Sequence, residues 1–219
     1  PVSEQVIDYN LDVTGTIPSE CSGALFKIGS NPRYRKSVDV KYHWFDGDGM
    51  VHAIKLMAHN NSAHYSNAYL HTTKYRAESK FNRSLYANSF GALHANGLVG
   101  FLKFQFGKFI STHSYSPLTL HKHSKYPLGE RGTANTAVLQ WNHRLFALQE
   151  VSQPLQFKYD SQTAQLSTVG YYSFNESWSN LAFTAHPKVD RNTNQLFTHG
   201  AYGRHPDEVV VGMTHSDNA

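Results

Sequence analysis

A histidine held by proline is the first arrangement in this chain that points to chemistry. In FTAHPKVD, residues 183–190, Pro187 biases His186 toward extended backbone, so one imidazole can be presented to a metal at fixed geometry. One imidazole does not hold a catalytic metal, and a His-Pro pair without context is more often structural. Glu150 is the second candidate. In HRLFALQEV, residues 143–151, alternation puts Phe146, Leu148 and Glu150 on one face of an expected strand. A carboxylate beside two large apolar side chains is costly unless it is paired or hydrogen-bonded. The N–H of a metal-ligating imidazole would satisfy it, and an arginine or a backbone amide fits the pattern equally well.

The remaining histidines, of 14 in all, weaken under the same test, because a histidine's default is a satisfied hydrogen bond and only side chains that converge become ligands. His121 and His123 could share a strand face and bind zinc with His113, yet no Cys, Asp or Glu completes a four-ligand set nearby. His199, His205 and His215 read as solvated residues. His43 and His52 flank FDGDGM, residues 45–50, where an Asp-Gly pair predicts the positive φ angles of a tight hairpin and the two rings would pair across strands. A calcium loop fails there because Met50 stands where a third oxygen ligand is needed.

The elements that must position these residues read as strands. Short apolar or alternating runs such as ALFKIG, MVHAIKL, HYSNAYLHTTKY, TAVLQW, LSTVGYY, QLFTHGAY and EVVVGMTH recur between turn residues, with little helical periodicity. This is an all-β pattern, compatible with a sandwich, a barrel or a propeller, and no clean internal repeat is evident. The 219 residues suffice for one sizeable core, and with 16% charged and 13% aromatic residues the composition is that of a folded protein. A net charge of +4 without a basic block argues against nucleic-acid binding. The single Cys21 excludes an intrachain disulfide and favours a reducing compartment. The sequons at Asn60, Asn82 and Asn175 are of a kind that arises by chance. No run approaches the roughly 18 apolar residues that cross a bilayer, and PVSEQVIDYN lacks the features of a signal peptide. The absence of an initial Met and the polar ending lead us to expect a processed or incomplete chain.

Three segments in fixed order carry more than any single motif: YHWFDGDGMVHAIKL at 42–56, GTANTAVLQWNHRLFALQEVSQP at 132–154, and FTAHPKVD. Together they resemble the carotenoid cleavage oxygenase family, from about Gly23 to Tyr202. The resemblance implies a seven-bladed β-propeller with irregular blades, of which residues 1–219 are the N-terminal portion of one domain, covering roughly the first blades. It implies a non-haem iron, Fe(2+), held by four histidines from different blades. His186 matches the first of them. Glu150 matches a glutamate that accepts the free ring N–H of an iron-ligating histidine. The other three ligands are expected downstream, so this chain alone is expected to be inactive.

The implied reaction is oxidative scission, by O2, of a conjugated double bond in a hydrophobic polyene or aromatic substrate, giving carbonyl products. A retinoid isomerohydrolase, a stilbene-cleaving enzyme and a non-catalytic propeller fragment are the alternatives. Members of the family are typically monotopic. Residues 97–109, GLVGFLKFQFGKF, therefore stand as either a buried core element or a peripheral membrane contact. A cytoplasmic or organellar location is expected.

Overall fold

Among the described residues the alternating runs become strands of three antiparallel sheets. The structure, a computed structural model, describes residues 2, 5–34, 43, 45–84, 132–150, 152–174, 178, 182–202 and 205–214. The first sheet is built from β2 (Gly23–Asn31), β3 (Asp48–Met57) and β4 (Ser62–Tyr69) in sequence order, with the early strand β1 (Tyr9–Leu11) added outside β4. The second is a four-stranded meander of β5 (Ala137–Trp141), β6 (Arg144–Leu148), β7 (Leu155–Tyr159) and β8 (Leu166–Tyr171). The third holds β9 (Lys188–Val189), β10 (Leu196–Tyr202) and β11 (His205–Thr214). Sequential four-stranded antiparallel meanders are the units of propellers.

Local chemistry explains the connections. Between β5 and β6 only Asn142 and His143 remain, both at positive φ (47° and 58°), as a two-residue hairpin that follows strand twist requires. The turns before β8 and β10 are two copies of one device, DSQTAQL at 160–166 and DRNTNQL at 190–196. In each the aspartate Oδ1 accepts a backbone N–H two residues on, at 2.7 Å for Asp160 and 2.8 Å for Asp190. Those N–H donors hold both carboxyls below the usual aspartate range. The likeness is confined to these seven residues and stops short of a clean internal repeat.

Two further expectations change. The run HYSNAYLHTTKY is not one strand: β4 ends at Tyr69, and α1 (Thr73–Phe81) begins after Thr72, whose side chain accepts the Tyr75 N–H at 3.0 Å. FDGDGM is not a tight hairpin either. Asp48 and Gly49 already belong to β3, where Asn31 pairs with Asp48, and neither Gly47 nor Gly49 has positive φ. The glycines answer to crowding: a Cβ on Gly49 would lie 2.3 Å from the Ala134 carbonyl oxygen, and one on Gly47 would lie 2.2 Å from Ser30 Oγ.

Asp48 and Glu78 are 2% and 1% exposed, and the Lys74 ammonium bridges them at 2.9 and 2.8 Å, tying α1 to β3. Burial pushes the Lys74 ammonium down, but the attraction of the two carboxylates outweighs it and leaves it above the usual lysine range.

The sheets stack through two cores. Val51, Ala147, Leu155 and Phe157, with Phe26 and Ile28 against them, join the first sheet to the second. Trp141, Phe146, Leu148, Phe183 and Leu196 join the second to the third. Outside, the N-terminal segment is strapped on by side chains of the first sheet. Asn67 Oδ1 accepts the Val6 N–H at 2.6 Å, and Ser66 Oγ accepts the Asp8 N–H at 3.0 Å. Among the described residues no helix is long and apolar enough to cross a membrane.

Candidate metal centre

The segments that carry the three motifs meet where successive sheets touch. The Gly49 N–H donates to the Thr133 carbonyl at 2.8 Å, and the Asn135 amide donates to the carbonyls of Phe45 and Gly47 at 3.0 and 2.9 Å. One sheet further, Gln149 Oε1 accepts the Thr133 N–H at 2.7 Å. Ser152 and Phe183 then form an isolated antiparallel bridge, with the Phe183 N–H donating to the Ser152 carbonyl at 3.1 Å. Hydrogen bonds thus run without a break from FDGDGM through GTANT and LQEVS to FTAHP.

That bridge brings the two candidate residues together. Glu150 lies just before Ser152 and His186 just after Phe183, and the ring Nε2 of His186 stands 3.4 Å from Glu150 Oε1. At this distance the contact is an ion pair when the ring is protonated. The side chains are 68% and 50% exposed, so the pair sits in the open. Phe183, Thr184 and Ala185 are buried, and the chain turns outward at His186, whose N–H donates to Thr184 Oγ1 at 3.1 Å.

The environment of Glu150 corrects one expectation. It does not share a buried strand face with Phe146 and Leu148, because β6 ends at Leu148 and Glu150 occupies the turn beyond it. Half-exposed, the carboxylate needs no partner on desolvation grounds, so its position beside the imidazole is not forced by burial.

The other histidines do not join them. His52 bonds Tyr65 OH through Nδ1 at 2.6 Å and lies opposite Lys27 and Asn67, not His43. His43 packs its ring against Phe45. His199 is exposed on β10, and its carbonyl accepts the Thr184 N–H. His205 lies on β11, while His113, His121, His123, His215 and the stretch 97–109 lie outside the described residues. Among the described residues no three His, Cys, Asp or Glu side chains converge on a metal position. His186 and Glu150 fit one imidazole ligand and its carboxylate partner, and nothing more of a site. A small cleft lined by Phe174, Trp178, Phe183, Thr198, Met213 and Thr214 includes neither of them.

The family model described as retinal pigment epithelial membrane protein matches residues 1–218. The chain belongs to this family, the carotenoid cleavage oxygenases. It is 30% identical over 217 residues to carotenoid 9,10(9',10')-cleavage dioxygenase 1 of Phaseolus vulgaris, covering 99% of this chain and 36% of that protein. It is 33% identical to a chloroplastic 9-cis-epoxycarotenoid dioxygenase of Arabidopsis thaliana, covering 90% and 32%. Resveratrol cleavage oxygenase 1 of Chaetomium globosum is 30% identical, covering 95% and 30%. The chain thus spans about a third of these carotenoid cleavage oxygenases.

The lignostilbene dioxygenase of Pseudomonas brassicacearum superposes with a TM-score of 0.72 at 22% identity, over 100% of this chain and 39% of that structure. The mostly-β fold expected from the sequence is therefore that of the carotenoid oxygenases, which are propellers.

Proposed function

We propose that these residues form the metal-binding beginning of a non-haem Fe(2+) dioxygenase that cleaves a conjugated carbon–carbon double bond of a carotenoid or apocarotenoid. The observation that carries the reading is the approach of His186 to Glu150, 3.4 Å apart beside the bridge that joins the second and third motif segments. Carotenoid-cleaving and resveratrol-cleaving relatives support a hydrophobic, conjugated substrate.

His186 would serve as one of four imidazole ligands, with the other three supplied by polypeptide beyond Ala219. Bound ferrous iron would supply the open coordination position at which dioxygen reacts. This chain's own part is to hold neutral imidazole in one direction and to place a carboxylate beside it. Neutral ligands leave the metal's charge uncompensated, and a carboxylate that accepts a ligand's ring N–H offsets part of it while fixing the tautomer.

The same reading makes the three sheets part of a seven-bladed propeller. The exposed Val209, Val211 and Met213 on β11 support further sheets packing there. It also includes peripheral membrane contact through 97–109 and a cytoplasmic or organellar location.

Metal analysis tests the assignment. The 219-residue chain should hold little stoichiometric iron, the full-length enzyme about one per molecule, and its His186→Ala variant far less. Tight iron binding by the short chain would mean that the ligands lie elsewhere. Product analysis separates the reactions: two carbonyl fragments mean cleavage, and a single rearranged product means isomerisation.

A further inference from the structure

We propose that Thr184 is a positioning residue for the metal-facing imidazole: its buried hydroxyl sets the direction in which His186 leaves the backbone. The inference rests on His186 being an iron ligand, as proposed above.

The His186 ring is mostly exposed, and its recorded polar contact, to Glu150, is long at 3.4 Å. Packing therefore does not aim it, and the aim must come from the main chain. Pro187 restricts the backbone on one side. On the other side stands Thr184, 2% exposed, whose Oγ1 accepts the His186 N–H at 3.1 Å and closes a side-chain turn over Ala185. Thr184 is itself anchored, since its N–H donates to the His199 carbonyl of β10 at 2.9 Å. Its neighbour Phe183 is locked by the Ser152 bridge and by the core between the second and third sheets. The hydroxyl thus couples a rigid sheet junction to the exposed residue that presents the ligand.

Valine has threonine's shape without the acceptor, whereas serine keeps the acceptor. The His186 N–H lies at an exposed residue, so in Thr184→Val water can replace the lost partner. The fold then changes little while the ring loses its aim.

The test is ferrous iron affinity in the full-length enzyme, measured by chelator competition, with the visible absorption of a Co(II)-substituted sample as a second readout of ligand geometry. Thr184→Val should weaken iron binding about 10–100-fold, the usual effect of losing a group that orients a ligand, with a near-native unfolding midpoint. Thr184→Ser should restore both affinity and spectrum. Should the valine variant not fold, Thr184→Ala against Thr184→Ser makes the same comparison. Wild-type affinity in Thr184→Val, or a serine variant as weak as valine, overturns the inference. His186→Ala is measured alongside: full iron content there sinks the ligand assignment itself, whereas iron lost in His186→Ala but kept in Thr184→Val sinks only the role of Thr184.

Discussion

Replacing Lys74 by Met should be among the most damaging single changes in the first sheet. The ammonium lies 2.9 Å from Asp48 and 2.8 Å from Glu78, and these carboxylates are 2% and 1% exposed. At such distances each attraction is about 6 kcal/mol for an effective dielectric near 20. Most of that is offset by the cost of taking three charges out of water. What the variant exposes is the unbalanced part: two buried carboxylates that have lost the ammonium between them. Removing one member of a buried charge set costs about 3–5 kcal/mol, which in a chain of this size lowers the thermal midpoint by roughly 6–20 °C.

The pH dependence follows from the raised value of Lys74. Its contribution is complete below the unfolded lysine value and is lost only as pH rises through the higher folded one, so the loss in Lys74→Met should be undiminished at neutral pH. Calorimetry or urea unfolding of wild type, Lys74→Met and the neutral triple variant Asp48→Asn/Lys74→Met/Glu78→Gln checks the reasoning. The triple variant should recover most of the loss, because an uncharged set leaves no stranded carboxylate. A cost below about 1 kcal/mol for Lys74→Met, or a triple variant no better than the single one, would refute it.

Gly49→Ala should sharply reduce soluble yield and thermal midpoint, because the new Cβ meets the main-chain oxygens of Ala134 and Thr133 at 2.3 and 2.6 Å. Gly29→Ala, with nothing within 4 Å, serves as the control. Burial holds the His52 imidazole below its usual range, so the unfolded chain takes up a proton more readily than the folded one. Stability from this group is complete above the ordinary histidine value of about 6.5 and declines as pH falls below it. Chemical denaturation of His52→Gln across that window should show a shallower acid-side loss than wild type.

The sequence revealed those parts of the fold that local periodicity controls. Alternation located β2, β3, β5, β6 and β8, because one face of each strand is buried against a neighbouring sheet, while β7 gave no such run. It failed where distant contacts decide. FDGDGM looked like a turn because Asp-Gly is turn chemistry, but its glycines are demanded by carbonyls and a hydroxyl that only the folded chain brings close. The TTKY end of HYSNAYLHTTKY was absorbed into a strand because its Tyr and Thr content hides the start of a helix that is fixed by the Thr72 cap and the Lys74 bridges. The repeated aspartate turn escaped notice because seven residues are too few to register as a repeat, although Asp, Thr and Gln recur at identical spacing.

At the site, family resemblance singled out Glu150 and His186, which the fold leaves 3.4 Å apart, while the surroundings of Glu150 were not legible: β6 stops at Leu148, and alternation carries no meaning past a strand's end. Thr184 left no signal beyond a hydroxyl two residues before a histidine. Its meaning depends on burial, which sequence alone does not report.

Because β1 closes the outer edge of the first sheet, the order of synthesis and the order of assembly run opposite to each other. Val6 leaves the ribosome 61 positions ahead of Asn67, whose side chain receives it. At ordinary translation rates that is a wait of about 3–12 s. During that interval Tyr9–Leu11 has no edge to dock on, because its partner β4 is the last of the sheet's four strands to be made. Bulk attached just ahead of Val6 therefore burdens the last step of that sheet's formation, not the first.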